Sequence, residues 1–410
     1  MSKRLQYEKL DPYVFVTKLA GFEHTKHIQG VATHQPETDT DIPMVQGKNI
    51  RNGFFVQDHE WFISRAVSDS LPRSVLDKPC ILIPYVGSNL GEVGIFPNDY
   101  RCHLASNIAK VELISEKYIL EYLKYYLQSD IGQGYLFQSK QGSAQPNITM
   151  ESIRNTLIIE RNQSEQQKIC DVLSVIDKKY LLNENLCSEL ESMAKTLYDY
   201  WFTQFDFPNE EGKPYRTSGG AMEWNEQLKR EIPKGWDVST IGNILTKAPN
   251  TTRIPTGEYL KTGCVPVIDQ SGDYIAGYTN DKNAVLASDA GYIVFGDHTR
   301  IVKYIRFPFA RGADGTQVLK SNTPCVPDEL LYQIVKNVDL SNYGYARHFK
   351  FLKDTLAVIP NETLAKKYAQ IVTPIHDKQV QLTFENVELT KLRDWLLPML
   401  MNGQATVNEV

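Results

Sequence analysis

The heptapeptide TLIIERN, residues 156–162, recurs 199 residues later as TLAVIPN, residues 355–361. The register then holds without a gap along residues 156–201 and 355–400, with nine identical positions among 46. One short match can arise by chance, but an ungapped match over some eleven helical turns rarely does. We therefore infer that the chain contains two copies of one building unit.

Both copies continue into a predicted long helix. In the first copy, residues 164–167 (SEQQ) have the form of a capping box, and apolar residues follow at steps of three and four. Such spacing is typical of a coiled-coil seam rather than a broad core face. Two ordinary core helices are the alternative, which is disfavoured because residues 164–202 would form a helix roughly 58 Å long at about 1.5 Å per residue. The residues assigned to helix pairing or protein partners are Ile169, Val172, Ile176, Leu190, Leu197, Trp201, Ile371, Ile375, Leu389, Leu392 and Leu396.

A region of different texture precedes each helix. Residues 10–155 and 234–358 contain short apolar runs separated by Gly, Pro, Asn and Asp, which is typical of strands between turns. Landmarks recur in the same order: IPMVQG at 42–47 resembles VPVIDQ at 265–270, and the apolar strand before Gly87 resembles the one before Gly296. We predict an α+β fold, with two pseudo-symmetric mixed α/β domains separated by two long antiparallel coiled-coil helices. The predicted boundaries are 1–155 and 234–358 for the two domains, 156–205 and 359–410 for the helical regions, and 206–233 for a connector.

The composition is that of an ordinary globular protein. Of 410 residues, 42% are apolar and 23% charged, which excludes a disordered, collagen-like or disulfide-scaffold chain. A net charge of −5 lacks the basic footprint of a self-sufficient DNA binder, so any DNA contact requires local clusters or other subunits. The six cysteines are scattered, and there is neither a signal-like apolar run nor a membrane-length one. We expect a cytoplasmic protein.

Familiar catalytic motifs are absent from the sequence. There is no phosphate-binding loop, no dinucleotide fingerprint, no Asn/Asp-Pro-Pro-Tyr/Phe tetrapeptide, no Gly-x-Ser-x-Gly and no His-Glu-x-x-His. His24, His27 and His34 could be metal ligands, but solvent-exposed histidines explain them better because no partner set lies nearby. We expect a chain that is not an enzyme on its own and holds no metal or cofactor.

Polar, turn-rich runs in both domains are candidates for DNA contacts. Asn and Gln pair bidentately with adenine and Arg with guanine, while Lys and Ser hold phosphates. Each residue singly is better explained as a solvated loop residue; the hypothesis depends on matched runs that recur in two halves, as suits a protein that reads two separated half-sites. The candidates are Gln46, Lys48, Arg51, Asn52, Lys140, Gln141, Ser143, Gln145 and Asn147 in the first domain, and His298, Arg300, Arg311, Arg347 and His348 in the second.

Several motifs resemble the specificity subunit of type I restriction–modification enzymes, a bacterial defence system. They are WFTQFDFP at 201–208, GKPY at 212–215, SGG at 218–220, IPKGW at 232–236 and LRDWLLPMLMNG at 392–403. The resemblance covers nearly the whole chain. It implies two target-recognition domains, each reading one half of a split DNA sequence, and two helical regions that dock two methyltransferase subunits.

The resemblance also assigns the chemistry to partners. It implies adenine-N6 methylation by the methyltransferase subunits with S-adenosylmethionine, and restriction by translocase subunits that use ATP and Mg. The first domain departs from the second at its start, since VFVTKLAG at 14–21 has no PKGW lead-in. Recognition domains vary widely within the family. The candidate DNA contacts above are therefore chosen by their positions near the repeated sequence landmarks, and not by comparison with contact residues of the family.

Two alternatives stay open. One is the recognition subunit of a restriction-free or fused methylation system, with the same architecture and different partners. The other is a coiled-coil adaptor that binds protein rather than DNA, which the acidic balance of charges mildly favours.

Overall fold

The structure is a computed structural model that describes residues 6–138, 147–312, 315–344 and 347–407. The chain divides into two compact units. Unit 1 comprises residues 1–180 and 388–410, and unit 2 comprises residues 181–387. Each unit contains one sheet domain together with parts of two long helices.

Unit 1 is built on two four-stranded sheets. Its strands are β1 (Tyr7–Lys9), β2 (Val14–Lys18), β3 (Ile42–Val45), β4 (Ile50–Arg51), β5 (Phe54–Phe55), β6 (Phe62–Ile63), β7 (Val75–Leu76), β8 (Cys80–Pro84), β9 (Gly94–Phe96), β10 (Cys102–Leu104), β11 (Ile108–Leu113) and β12 (Leu157–Ile159). Its helices are α1 (Gly21–Glu23), α2 (Arg65–Ser70), α3 (Leu120–Gln128), α4 (Asp130–Leu136), α5 (Met150–Arg154) and the start of α6 (Gln163–Tyr198). The sheets have the orders β2-β11-β8-β9 and β6-β3-β10-β7, and β1 pairs with β12.

The central strand β8 shows why the apolar run at residues 80–83 folds as it does. Ile81 and Ile83 pack in the core beneath helix α3, while Cys80 and Leu82 pack against the second sheet. Alternate side chains of a strand point to opposite faces, so a strand covered on both faces must be apolar throughout. The second sheet is mixed because β3 and β10 pair in parallel.

Unit 2 repeats this topology. Its strands are β13 (Met222–Asn225), β14 (Arg230–Pro233), β15 (Asp237–Thr240), β16 (Leu245–Lys247), β17 (Val265–Ile268), β18 (Gly277–Thr279), β19 (Val285–Leu286), β20 (Tyr292–Gly296), β21 (Val302–Ile305), β22 (Phe309–Arg311), β23 (Thr316–Ser321) and β24 (Leu356–Ile359). Its helices are α7 (Ile241–Ile244), α8 (Asp328–Lys336), α9 (His348–Asp354), the second half of α6 and most of α10 (Glu362–Met401), whose last residues belong to unit 1. The sheet orders are β16-β23-β20-β21 and β18-β17-β22-β19, with β15 paired to β24. The pseudo-symmetric α+β fold predicted from the repeat is confirmed.

Helices α6 and α10 pair antiparallel within each unit. In unit 1, Arg161 Nη2 donates to the Leu400 carbonyl at 2.9 Å, and the Arg393 guanidinium lies 3.8 Å from Asp177. In unit 2, Asn183 donates to Asn386 at 2.9 Å, and the Tyr368 hydroxyl donates to the Ala194 carbonyl at 3.4 Å. Within each unit, rising residue numbers on one helix therefore meet falling numbers on the other.

The buried seam of α10 differs from the prediction at two positions. Ile371 and Leu392 are 47% and 44% exposed, whereas Val372, His376 and Asn386 are buried. Polar residues occupy part of the seam. A prediction from apolar residues alone therefore placed the seam one position away, at Ile371 instead of Val372. Of the other residues assigned to the seams, Ile169, Ile176 and Trp201 are buried, and Val172, Leu190, Leu197, Ile375, Leu389 and Leu396 are partly buried.

The imidazole of His376 is buried in unit 2. Its Nδ1 lies 2.9 Å from the Gln379 amide oxygen, and its ring meets Tyr304 and Tyr332 edge-on, 5.0 and 5.6 Å between centroids. Burial lowers the pKa of His376, and the Arg306 guanidinium acts in the same direction. The carboxylates of Glu191 and Glu329 and the bond to Gln379 oppose this shift without cancelling it.

We therefore expect unit 2 to lose stability as the pH falls below about 6.5, where an unfolded histidine takes up a proton that the folded one resists. His376→Gln should remove this part of the pH dependence, and His298→Gln, at an exposed site, should not. Urea unfolding, monitored by amide hydrogen exchange in unit 2 between pH 7.5 and 5, measures this difference in the pH dependence of stability. A His376→Gln variant with the same pH slope as the parent chain would contradict the assignment.

Candidate nucleic-acid interface

Four segments of unit 1 meet beside the ends of β3, β8 and β10. The Ala105 amide donates to the Val45 carbonyl at 2.8 Å, the Tyr85 amide to the Asn107 carbonyl at 3.2 Å, and the Ile148 amide to the Tyr85 carbonyl at 3.2 Å. These bonds join the loops that follow the three strands to the segment that leads into α5. We call residues 46–49, 85–87, 105–107 and 147–148 loop cluster 1.

The same three backbone hydrogen bonds recur in unit 2. The Gly312 amide donates to the Ile268 carbonyl at 2.8 Å, the Asp297 amide to the Gly315 carbonyl at 2.7 Å, and the His348 amide to the Asp297 carbonyl at 3.0 Å. We call residues 269–273, 297–300, 311–312, 315 and 347–348 loop cluster 2. The bonds make Asn147 and Arg347 equivalent positions, each one residue before the amide that closes the cluster.

The candidates of unit 1 are distributed unevenly. Gln46 lies half-buried in loop cluster 1, and Asn147 is exposed there. Lys48 is paired with Glu60 at 3.0 Å, and Arg51 is paired with Asp58 at 3.1 Å. The predicted residues Lys140, Gln141, Ser143 and Gln145 lie outside the residues that the structure describes.

Asn52 has a structural explanation instead. With Gly53 it forms the turn between β4 and β5, at φ values of 54° and 82°. An Asn-Gly pair with positive φ at both positions is the preferred two-residue hairpin turn. The backbone carbonyl of Asn52 accepts a hydrogen bond from the Arg393 guanidinium at 3.3 Å. The Asn-Gly dipeptide was the sequence signal for this role.

Loop cluster 2 contains the remaining candidates. His298, Arg300 and Arg347 are exposed, and the Arg300 guanidinium donates to the Leu340 carbonyl at 3.2 Å. Arg311 and His348 are buried, so they support the loops from below rather than standing on the surface.

Two hydrogen bonds hold buried side chains beneath loop cluster 2 in place. The Arg311 guanidinium donates to Asn250 Oδ1 at 2.9 Å, and burial lowers the pKa of Arg311, with the nearby Arg253 acting in the same direction. Asp297 is also buried, and its carboxylate accepts a hydrogen bond from the Phe349 amide at 2.8 Å. The start of α9 is thereby tied to the turn that carries His298 and Arg300.

Gln270 and two lysines, none of them among the candidates predicted from the sequence, lie in or beside the loop clusters. Gln270 Oε1 accepts a hydrogen bond from the His298 amide at 3.2 Å, and its side chain lies against Gly296 and Gly315. The VPVIDQ landmark already contained it. Lys18 and Lys247 end the equivalent strands β2 and β16, with ammonium groups 4.5 Å from the Tyr85 ring centroid and 5.3 Å from that of Phe349.

The described ranges contain neither a metal-binding cluster nor a membrane-length helix. Among those residues, no group of three or more His, Cys, Asp or Glu side chains is arranged to hold a metal ion. No helix there combines the length and apolar character that a membrane span needs.

Comparison with known proteins shows which proteins this chain is similar to. Residues 31–192 match the family model of the type I restriction modification DNA specificity domain. The chain is 25% identical over 401 residues to the specificity subunit of the type I restriction enzyme MjaIX from Methanocaldococcus jannaschii, covering 90% of this chain and 88% of that protein. It is 21% identical to the specificity subunit of the type I restriction enzyme HindI from Haemophilus influenzae, covering 65% and 72%.

Among solved structures, the S subunit of a type I restriction–modification system from M. genitalium aligns with 100% of this chain and 98% of its own, at 17% identity and a TM-score of 0.49. The family match and the two sequence relatives confirm the resemblance to type I specificity subunits that the motifs indicated.

Proposed function

We propose that this chain is the DNA-reading subunit of a type I restriction–modification complex and that each unit reads one half of a two-part target. The observation that carries this proposal is the pair of loop clusters. They share three backbone hydrogen bonds but present different side chains. A common backbone scaffold with different exposed groups is what two unlike half-sites require.

The side chains suit different bases. Loop cluster 1 presents the amides of Gln46 and Asn147, which match the donor and acceptor pattern of adenine. Loop cluster 2 presents Arg300 and Arg347, which match guanine, and Gln270. Direct base contacts in this proposal come from these residues, while Lys18 and Lys247 are placed to meet phosphates.

Protein partners supply the chemistry in this proposal. The chain itself is non-catalytic; two methyltransferase subunits methylate adenine N6 with S-adenosylmethionine, and restriction subunits use ATP and Mg. Large apolar side chains on α6 and α10 are exposed and would be covered by such partners, because water-exposed apolar clusters mark interaction surfaces. They include Val175, Leu392 and Trp395 in unit 1 and Leu182, Met193 and Ile371 in unit 2, at 44–64% exposure.

The experiment is co-expression with a type I methyltransferase subunit from the same organism. We expect a complex of two methyltransferase subunits and one copy of this chain by native mass spectrometry, and methylated adenines within one two-part sequence by genome-wide mapping. A chain that binds specific DNA tightly without partners would contradict the assembly. A stable protein complex with no DNA sequence preference would favour the coiled-coil adaptor. Methylation with no restriction subunit would indicate the restriction-free system.

A further inference from the structure

A buried lysine lies beneath one loop of unit 2. Lys303 is on β21, opposite Val294 of β20, and is 5% exposed. Val294 and Ile305, two residues further along β21, belong to the apolar core between the two sheets. Side chains two apart on a strand share a face, so Lys303 occupies a position where an apolar residue is expected.

The ammonium of Lys303 ties together the two ends of the loop 269–273. Its Nζ donates to the Asp269 carbonyl at 2.9 Å and to the Asp273 carbonyl, and it lies 4.0 Å from the Asp269 carboxylate. Between these two acceptors lies Gln270, whose backbone carbonyl accepts a hydrogen bond from the Thr299 hydroxyl at 2.7 Å. The lysine therefore constrains Gln270 and, through it, the 297–300 turn.

Unit 1 holds the equivalent loop in a different way. The position that corresponds to Lys303 is Gly94 of β9, which pairs with Leu82 as Lys303 pairs with Val294. A Cβ at Gly94 would lie 3.0 Å from Ile50 Cδ1, so the fully buried Ile50 side chain fills this space. Gln46 and Asp269 directly follow the equivalent strands β3 and β17. Ile50 lies four residues after Gln46 and Asp273 four residues after Asp269, so Ile50 and Asp273 occupy corresponding positions. The loop anchor is thus apolar in unit 1 and charged in unit 2.

We propose that Lys303 is a positioning residue for DNA reading by unit 2, which it serves by fixing the 269–273 loop and so the side chain of Gln270. This inference rests on the proposed function, since it names a determinant of the same loop cluster. The half-site read by unit 1 does not depend on such a charge, because Ile50 and Gly94 hold its loop by packing.

Stability alone does not explain a charge at this place. Burial lowers the pKa of Lys303 to about 8, and the facing carboxylates of Asp269 and Asp273 only partly oppose that shift. The folded chain therefore carries the proton less readily than the unfolded chain does, and an apolar residue of similar length should be tolerated at least as well. A positioning role accounts for a lysine that the fold itself does not favour.

The test compares Lys303→Met with Lys320→Met in the full chain, each co-purified with its methyltransferase. Lys320 donates to Ser288 at 2.7 Å, so its loss removes one charge from unit 2 without touching the loop. For Lys303→Met we expect discrimination between target and single-base variants to fall on the order of tenfold in the unit 2 half-site alone. The melting temperature should not fall, and amides 270–273 should exchange faster. Lys320→Met should leave all three readouts unchanged.

Several outcomes would overturn the inference. Unchanged discrimination in both half-sites, or an equal loss in both, would show that Lys303 does not position the loop of unit 2 specifically. If Lys303→Met does not fold, Lys303→Gln keeps an amide donor in the same place and should give a smaller loss confined to that half-site. A parent complex without any preference in either half-site would refute the proposed function instead, while the exchange rates of residues 270–273 would still test the anchor.

Discussion

Replacing Asp177 with alanine is expected to lower the free energy of unfolding of unit 1 by about 3–5 kcal/mol, because it leaves a buried ammonium without its counter-charge. Lys124 of α3 is 6% exposed, and its Nζ lies 2.7 Å from Asp177 Oδ2. The same oxygen accepts the Tyr125 hydroxyl at 2.8 Å. Urea unfolding of the full chain, monitored by hydrogen exchange in α3, measures the loss of unfolding free energy.

Two controls separate burial from charge. Arg51→Ala breaks the exposed pair with Asp58 and should cost less than about 1 kcal/mol. Removing both partners, as Lys124→Met with Asp177→Leu, should recover much of the lost stability because no unpaired charge is left behind. A loss within 1 kcal/mol for Asp177→Ala would contradict this account of the pair.

The deficit of Asp177→Ala should shrink as the pH rises. Burial lowers the pKa of Lys124, and Asp177 opposes that shift in the parent chain. Without Asp177 the pKa of Lys124 falls further, so the folded variant gives up its proton at a pH where the unfolded chain still holds one. Stability then increases with pH, since the unfolded state binds more protons. A deficit of equal size at pH 7 and pH 9 would show that the ammonium is not the cause.

The sequence predicted the repeated fold because repetition and strand burial are local signals. The apolar run at 80–83 is followed by turn residues, and its counterpart at 292–295 has the same texture. The helix seam was less predictable. His376, Asn183 and Asn386 are buried there by hydrogen bonds to the neighbouring helix or along their own. A polar side chain in a seam is identified only through partners that the sequence does not reveal.

The candidate site was predictable as segments but not as side chains. Whether a polar residue of a loop stands on the surface depends on the path of the loop, which is why Arg311 turned out buried against Asn250. Lys303 illustrates the opposite limit. In the strand VKYI at 302–305 it looks like an outward-facing charge, and only the position of the 269–273 loop explains its burial.

Alanine substitutions at Arg347 and Asn147 are expected to relax one base position each, in different half-sites. The two residues precede the amides of His348 and Ile148, which donate to equivalent carbonyls in the two loop clusters. If Arg347 contacts a guanine and Asn147 an adenine, each loss should cost about 1–3 kcal/mol of discrimination at that position. In each variant, the half-site that the unchanged unit reads should keep its full sequence preference.

Genome-wide mapping of methylated adenines, in cells that express each variant with its methyltransferase, measures both effects at once. Arg216→Ala is the matched control for Arg347→Ala, because it removes one exposed positive charge of unit 2 outside loop cluster 2. We expect Arg347→Ala to admit other bases at one position only, and Arg216→Ala to leave the methylated sequence intact. A uniform loss of binding over all sequences, with a salt dependence reduced by about one counterion, would instead identify Arg347 as a phosphate contact.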